Sequence, residues 1–101
     1  MKPTPWANFL GIAARAGKVI SGEELVVKSI QKQNAKIVLL SKDASDNTKK
    51  KVTDKCLYYK IDLAWIEDRN ILGRAIGKEQ RVVVAVNDQG FSKKLKELLD
   101  H

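Results

Sequence analysis

One cysteine and one histidine are all that the 101 residues offer of the types that most often carry nucleophilic and metal chemistry. A single cysteine makes no intramolecular disulfide, so a reducing compartment, the cytoplasm, is expected. Cys56 lies on the apolar stripe of a helix and reads as a small buried hydrophobe. His101 is the last residue, and a chain end that frays is a poor base or ligand. No zinc cluster and no Ser-His-Asp set can be assembled from this inventory. Glycine and proline total only eight residues, which argues against disorder and collagen-like repeats. No apolar run approaches the ~18 residues of a membrane-spanning helix. The opening Met1-Lys2-Pro3-Thr4-Pro5-Trp6 has no apolar stretch of the secretory type. Aromatics are 6%, so platforms for stacking single-stranded bases are few. Trp65 reads as core in a strand, and of the adjacent Tyr58 and Tyr59 one is expected to be exposed.

Two apparent chemical motifs fail on inspection. Gly73-Arg74-Ala75-Ile76-Gly77-Lys78-Glu79 has three residues between its glycines where a phosphate loop needs four. Glu79 also stands where that loop requires a magnesium-binding Ser or Thr. Asp43 and Asp46 fall in a turn before a helix, where capping accounts for them. No enzyme, cofactor, metal or small-molecule substrate is expected.

What is present is positive charge. Nineteen Lys and Arg stand against twelve Asp and Glu, a net charge of +7. A small domain this basic attracts polyanions, of which nucleic acid is the commonest in a cytoplasm. The length fits one domain, residues 1–101. Thr4-Pro5 resembles a cap and first helical position, with Trp6, Phe9, Leu10, Ala13 and Ala16 at helical spacing and Gly17 closing the segment. Lys18-Val19-Ile20 is a stub of strand. Ser21 with Glu24 three residues on forms the S-x-x-E pattern of a capping box, and Leu25, Val26 and Ile30 then face a core. Asn34 stands where that helix should end. The unbroken runs at 35–40 and 82–86 read as strands covered on both faces, and 63–66 as another strand. Val52, Cys56 and Tyr59 mark a helix between them, Asp68 caps a short helix to Ala75, residues 77–80 form a loop, and Phe91, Leu95, Leu98 and Leu99 share a face of the last helix. Helices alternating with such strands predict an α/β/α three-layer sandwich around a small mixed sheet of about four strands.

A polyanion site would use a helix start with free amides and nearby cations. Gly22 at the second helix start admits close approach, with Lys18 before it and Lys28 and Lys32 one turn apart after it. A shaped RNA suits this set better than a stacked single strand.

Gly22 followed six residues later by Lys28, the run Ala35-Lys36-Ile37-Val38-Leu39-Leu40, then Ser41-Lys42-Asp43-Ala44 and Leu72-Gly73-Arg74-Ala75-Ile76-Gly77, together resemble the L-seven-Ae type of ribosomal protein. The resemblance runs over residues 18–86, and the stretches 21–28 and 82–91 are most similar to its bacterial YlxQ branch. It implies an α/β/α sandwich and recognition of kink-turn RNA, ribosomal or otherwise related to translation, with the ribosome as the wider partner. It implies an RNA surface of Gly22, Glu23, Glu24, Lys28 and Lys32, faced by a loop of Lys78, Glu79 and Gln80. Glu24 and Leu25 depart from the family, whose side chains there make base contacts; an ionised Glu24 donates no hydrogen bond and Leu25 has no polar group. The competing reading is a protein-interaction module of the translation machinery whose basic face meets acidic partners.

Overall fold

The computed structural model describes residues 5–100. The elements among them are α1 (Pro5–Arg15), β1 (Val19–Ser21), α2 (Glu23–Gln31), β2 (Ile37–Ser41), α3 (Asp46–Tyr59), β3 (Asp62–Ile66), α4 (Arg69–Ala75), β4 (Val83–Val86) and α5 (Gln89–Leu99). The proposed cap Thr4 and the terminal His101 lie outside the described residues. The sheet has the order β1-β4-β2-β3. β4 runs antiparallel to both neighbours, while β2 and β3 are parallel, so the sheet is mixed.

Both central strands are buried along their whole length, which is why their sequences are apolar without alternation. The pleat divides those side chains between two cores. Val38, Leu40, Val83 and Ala85 pack with Val26 and Ile30 of α2 and Val52 and Cys56 of α3. Ile37, Leu39, Val84 and Val86 pack with Leu10 of α1, Leu72 of α4 and Leu95 of α5. Two helices on one face and three on the other make the expected three layers.

Two core assignments need correction. Leu25 is 57% exposed, because the stripe that α2 buries is Val26 and Ile30, four apart, and Leu25 points about 100° away from Val26. Trp65 is 44% exposed, because β3 is an edge strand and its outer side lacks a neighbour. The end of α2 also comes early: Lys32 is its C-cap and Gln33, not Asn34, takes the left-handed backbone, with φ 61°.

Strand direction sorts the loops into two groups. β1, β2 and β3 finish, and β4 begins, at one end of the sheet. Gly22, residues 42–45 and 67–68 and the 77–82 loop therefore cluster there. Residues 16–18, 32–36, 60–61 and 87–88 lie at the opposite end.

Candidate nucleic-acid interface

The first turn of α2 differs from that of every helix after it. Ser45 caps α3 by accepting from the Thr48 amide, Asp68 caps α4 through the Ile71 amide, and Asp88 caps α5 through the Phe91 amide. The N-cap of α2 is Gly22, and no side chain accepts from its first-turn amides. The capping box expected of Ser21 and Glu24 does not form. Ser21 is drawn into β1 opposite Val84, and its hydroxyl accepts from Arg81 Nε at 3.2 Å. Glu24 is left in solvent, its side chain 85% exposed and 3.7 Å from Lys28 Nζ. Gly22 has φ 98° and ψ 142°, a conformation that side-chain-bearing residues avoid, and open space lies where a Cβ would stand. The amides behind it are accessible, at the positive end of a helix dipole.

The neighbouring loop is fastened to α4. Lys78 N donates to the Gly73 carbonyl at 2.9 Å, and Arg81 N to the Arg69 carbonyl at 3.2 Å. Gly73 is needed for this, since a Cβ there would overlap the Glu79 carbonyl. Arg81 bridges the two halves of the site, bonding Ser21 on one side and donating to the Gln80 carbonyl at 2.7 Å on the other. Lys78 lines a cleft together with Ser21 and Arg15. Asn70, Arg74, Glu79, Gln80 and Arg81 line an open groove of about 880 Å³.

Two carboxylates brace this end. Glu23 accepts from Thr48 Oγ1 at 2.6 Å and from Lys51 Nζ at 3.0 Å, tying the start of α2 to the start of α3. Those two hydrogen bonds, the Thr48 one foremost, hold its carboxyl below the usual glutamate range. Asp43 is not the cap that its place in the turn suggests, since Ser45 takes that role. It accepts from Ser41 Oγ and from the Arg69 amide, joining the turn after β2 to the start of α4. The Ser41 hydroxyl is the main cause of its lowered pKa.

Of the residues singled out from sequence, Gly22, Glu23, Glu24, Lys78, Glu79 and Gln80 come together at this end. Lys28 does not sit at the helix start. It lies in the last turn of α2, roughly 9 Å along the axis from Gly22 at 1.5 Å per residue. Lys32 and Lys18 lie at the opposite end of the sheet. Lys32 is the C-cap of α2, roughly 15 Å along the axis. The Lys18 carbonyl accepts from the Asn87 amide at 2.8 Å, beside the far end of β4. Sequence reasoning missed Arg81 and Arg74; the available signal was an arginine directly before the strongest strand, in the loop already singled out.

Burial pushes the Cys56 thiol up to about 11, so it stays protonated at neutral pH. No group of three or more His, Cys, Asp or Glu among the described residues is arranged to hold a metal ion. No helix among them is long and apolar enough to cross a membrane.

The chain is 60% identical to "RNA-binding protein YlxQ" of Bacillus subtilis over 100 residues, covering 99% of this chain and all of that protein. It is 46% identical to "RNA-binding protein YlxQ" of Enterococcus faecium, covering 92% of this chain and 89% of that one. A solved structure of a protein of unknown function from Bacillus halodurans superposes with a TM-score of 0.94 at 48% identity, covering 98% of this chain and all of that one. The 15.5kD RNA binding protein of Giardia lamblia superposes with a TM-score of 0.79 at 18% identity, over 93% of this chain and 81% of that one, and shares the fold. Residues 6–96 match the Ribosomal protein L7Ae/L30e/S12e/Gadd45 family, and the chain belongs to it.

Proposed function

We propose that this protein is a non-enzymatic RNA-binding protein of the cytoplasm that recognises a kink-turn or a similarly bent RNA, ribosomal or otherwise related to translation. The observation that carries this reading is the uncapped first turn of α2 behind Gly22, faced by a loop braced on Gly73. Free amides at a helix start donate to phosphate oxygens or base acceptor atoms without a side chain in the way. Arg81, Arg74 and Lys78 supply the adjacent charge, and two relatives that match nearly the whole chain carry the name RNA-binding protein. Glu24 and Leu25 offer no donor to a base, so recognition here leans on backbone amides and the loop rather than on side chains of the first turn.

The test is filter binding of the wild-type chain to a short kink-turn RNA and to the same RNA with its sheared G·A pairs replaced by Watson–Crick pairs. Tight binding of the first alone is expected. Lys28→Glu, at the rim of the site, should weaken binding and flatten the log–log salt slope by roughly one unit. Equal affinity for both RNAs overturns kink-turn recognition. Absence of binding to any RNA at physiological salt would favour the protein-interaction reading instead.

A further inference from the structure

The net charge of +7 is not confined to the interface just described. There, Lys42 pairs with Glu67 at 2.9 Å, Lys51 with Glu23 at 3.0 Å and Arg69 with Asp43 at 3.4 Å, while Arg74, Lys78 and Arg81 have no carboxylate within 4.0 Å among the described residues. The opposite end of the sheet carries a second excess. Lys36, Lys60, Lys93 and Lys96 line a single groove of about 380 Å³ there, between the start of β2, the end of α3 and the first turns of α5. Its one acidic side chain, Asp62, is held by Lys96 at 3.1 Å. Lys18 and Lys32 flank the groove at the same end. Lys18, Lys32, Lys36, Lys60 and Lys93 are all exposed, and none has a carboxylate within 4.0 Å among the described residues.

Helix dipoles explain part of this concentration and not the rest. Lys32 and Lys60 are the C-caps of α2 and α3, where a cation is favoured. Lys36 belongs to no helix. Lys96 stands in the last turn of α5, where a cation is likewise favoured, whereas Lys93 lies just past the first turn, where the dipole gives a cation no help. Repulsion among these lysines is uncompensated within the chain, as expected of a surface whose counter-charge comes from a partner.

We propose that this end is a second RNA surface, which takes the phosphate backbone of an A-form duplex, so that the protein bridges two RNA segments. The inference rests on the RNA-binding reading for its first segment only. A duplex backbone fits because the groove offers point charges and the exposed amide groups of Gln33 and Gln89, while the one ring in its lining, Tyr59, is half-buried against the core. The five residues of β2 separate the two ends by roughly 17 Å of strand alone, so contacts at one end do not serve the other.

The experiment compares wild type with Lys36→Gln/Lys60→Gln/Lys93→Gln on two RNAs, a minimal kink-turn hairpin and a plain duplex without bulges. A Lys36→Gln/Lys93→Gln pair accompanies the triple variant, since Lys60 holds a left-handed backbone with φ 58° whose replacement can disturb folding. Duplex affinity should fall at least tenfold in the triple variant, and its log–log salt slope should drop by about two to three units, at roughly 0.7–0.9 for each phosphate that is no longer neutralised. Affinity for the minimal hairpin should stay within about twofold. Immobilised kink-turn RNA should capture a labelled plain duplex through wild type and not through either variant. Duplex binding and salt slope unchanged in both variants would overturn the proposal, as would wild-type binding to anionic phospholipid vesicles with none to duplex. Loss of duplex binding in the variants upholds the second surface even if wild type ignores the kink-turn, which would instead refute the proposed function.

Discussion

Ser21 shows how one residue's competing roles decide a local structure. Its spacing to Glu24 matches the capping-box pattern, yet pairing with Val84 claims it for β1, and its hydroxyl turns to Arg81. A strand register fixed by two buried cores outweighs a cap worth about 0.5–2 kcal/mol. Gly22 then becomes the N-cap, and the amides stay open. Glu24, freed from the box, keeps only an exposed pair with Lys28 at 3.7 Å. Such pairs contribute about 0.3–0.5 kcal/mol at most. Glu24→Gln should therefore change unfolding free energy by no more than about 0.5 kcal/mol, as read by urea titration. It should tighten binding of kink-turn RNA, because it removes a negative charge beside a polyanion. Gln can itself serve a capping box, so the box is tested by Glu24→Ala, where a loss of stability on the scale of a cap would mean that it forms in solution after all. The S-x-x-E spacing was visible in the sequence, but its failure was not, because the deciding partners lie about sixty residues away.

The element scale is where the sequence was most readable. Continuous apolar runs marked β2 and β4, and Asp68 and Asp88 marked the starts of α4 and α5. Each of these signals is local, so it survives without knowledge of the fold. The seat of the 78–80 loop is not local. Gly73 falls inside a helix, where glycine costs about 1 kcal/mol against alanine, and nothing in the sequence names the backbone that approaches it. The structure supplies that reason in the Glu79 carbonyl. Gly73→Ala keeps every charge and improves helix propensity, yet it should push the loop off α4. We expect a net loss of about 1–3 kcal/mol from overpacking, together with weaker RNA binding below the melting temperature. Thermal melting and filter binding on one preparation check both. A variant that melts like wild type and binds like wild type would show that the loop position is immaterial to the site.

At the scale of the whole molecule, the count of charges was plain from the sequence but their separation was not, because helix direction alone carries Lys32 to the end opposite Gly22. The same sheet that separates the two ends joins the two cores. Leu39 and Leu40 are neighbours in β2, both fully buried, and the pleat sends one into each core. Neither core has a backbone layer of its own, so neither can melt and leave the other intact. Leu39→Ala and Leu40→Ala should each cost about 2–5 kcal/mol, a large part of the ~5–15 kcal/mol that holds such a domain. In both variants the unfolding should remain one transition. Far-ultraviolet circular dichroism follows the helices of both faces, while tryptophan fluorescence reports Trp6, packed on the Leu39 core, and Trp65, on the sheet edge. The two midpoints in urea should coincide for wild type and for each variant. Below that midpoint RNA affinity should be unchanged, since both leucines lie inside the sandwich and neither end of the sheet is altered. Midpoints that separate in Leu39→Ala but not in Leu40→Ala would mean that the layer of α1, α4 and α5 unfolds on its own, and that the sheet does not couple the two faces.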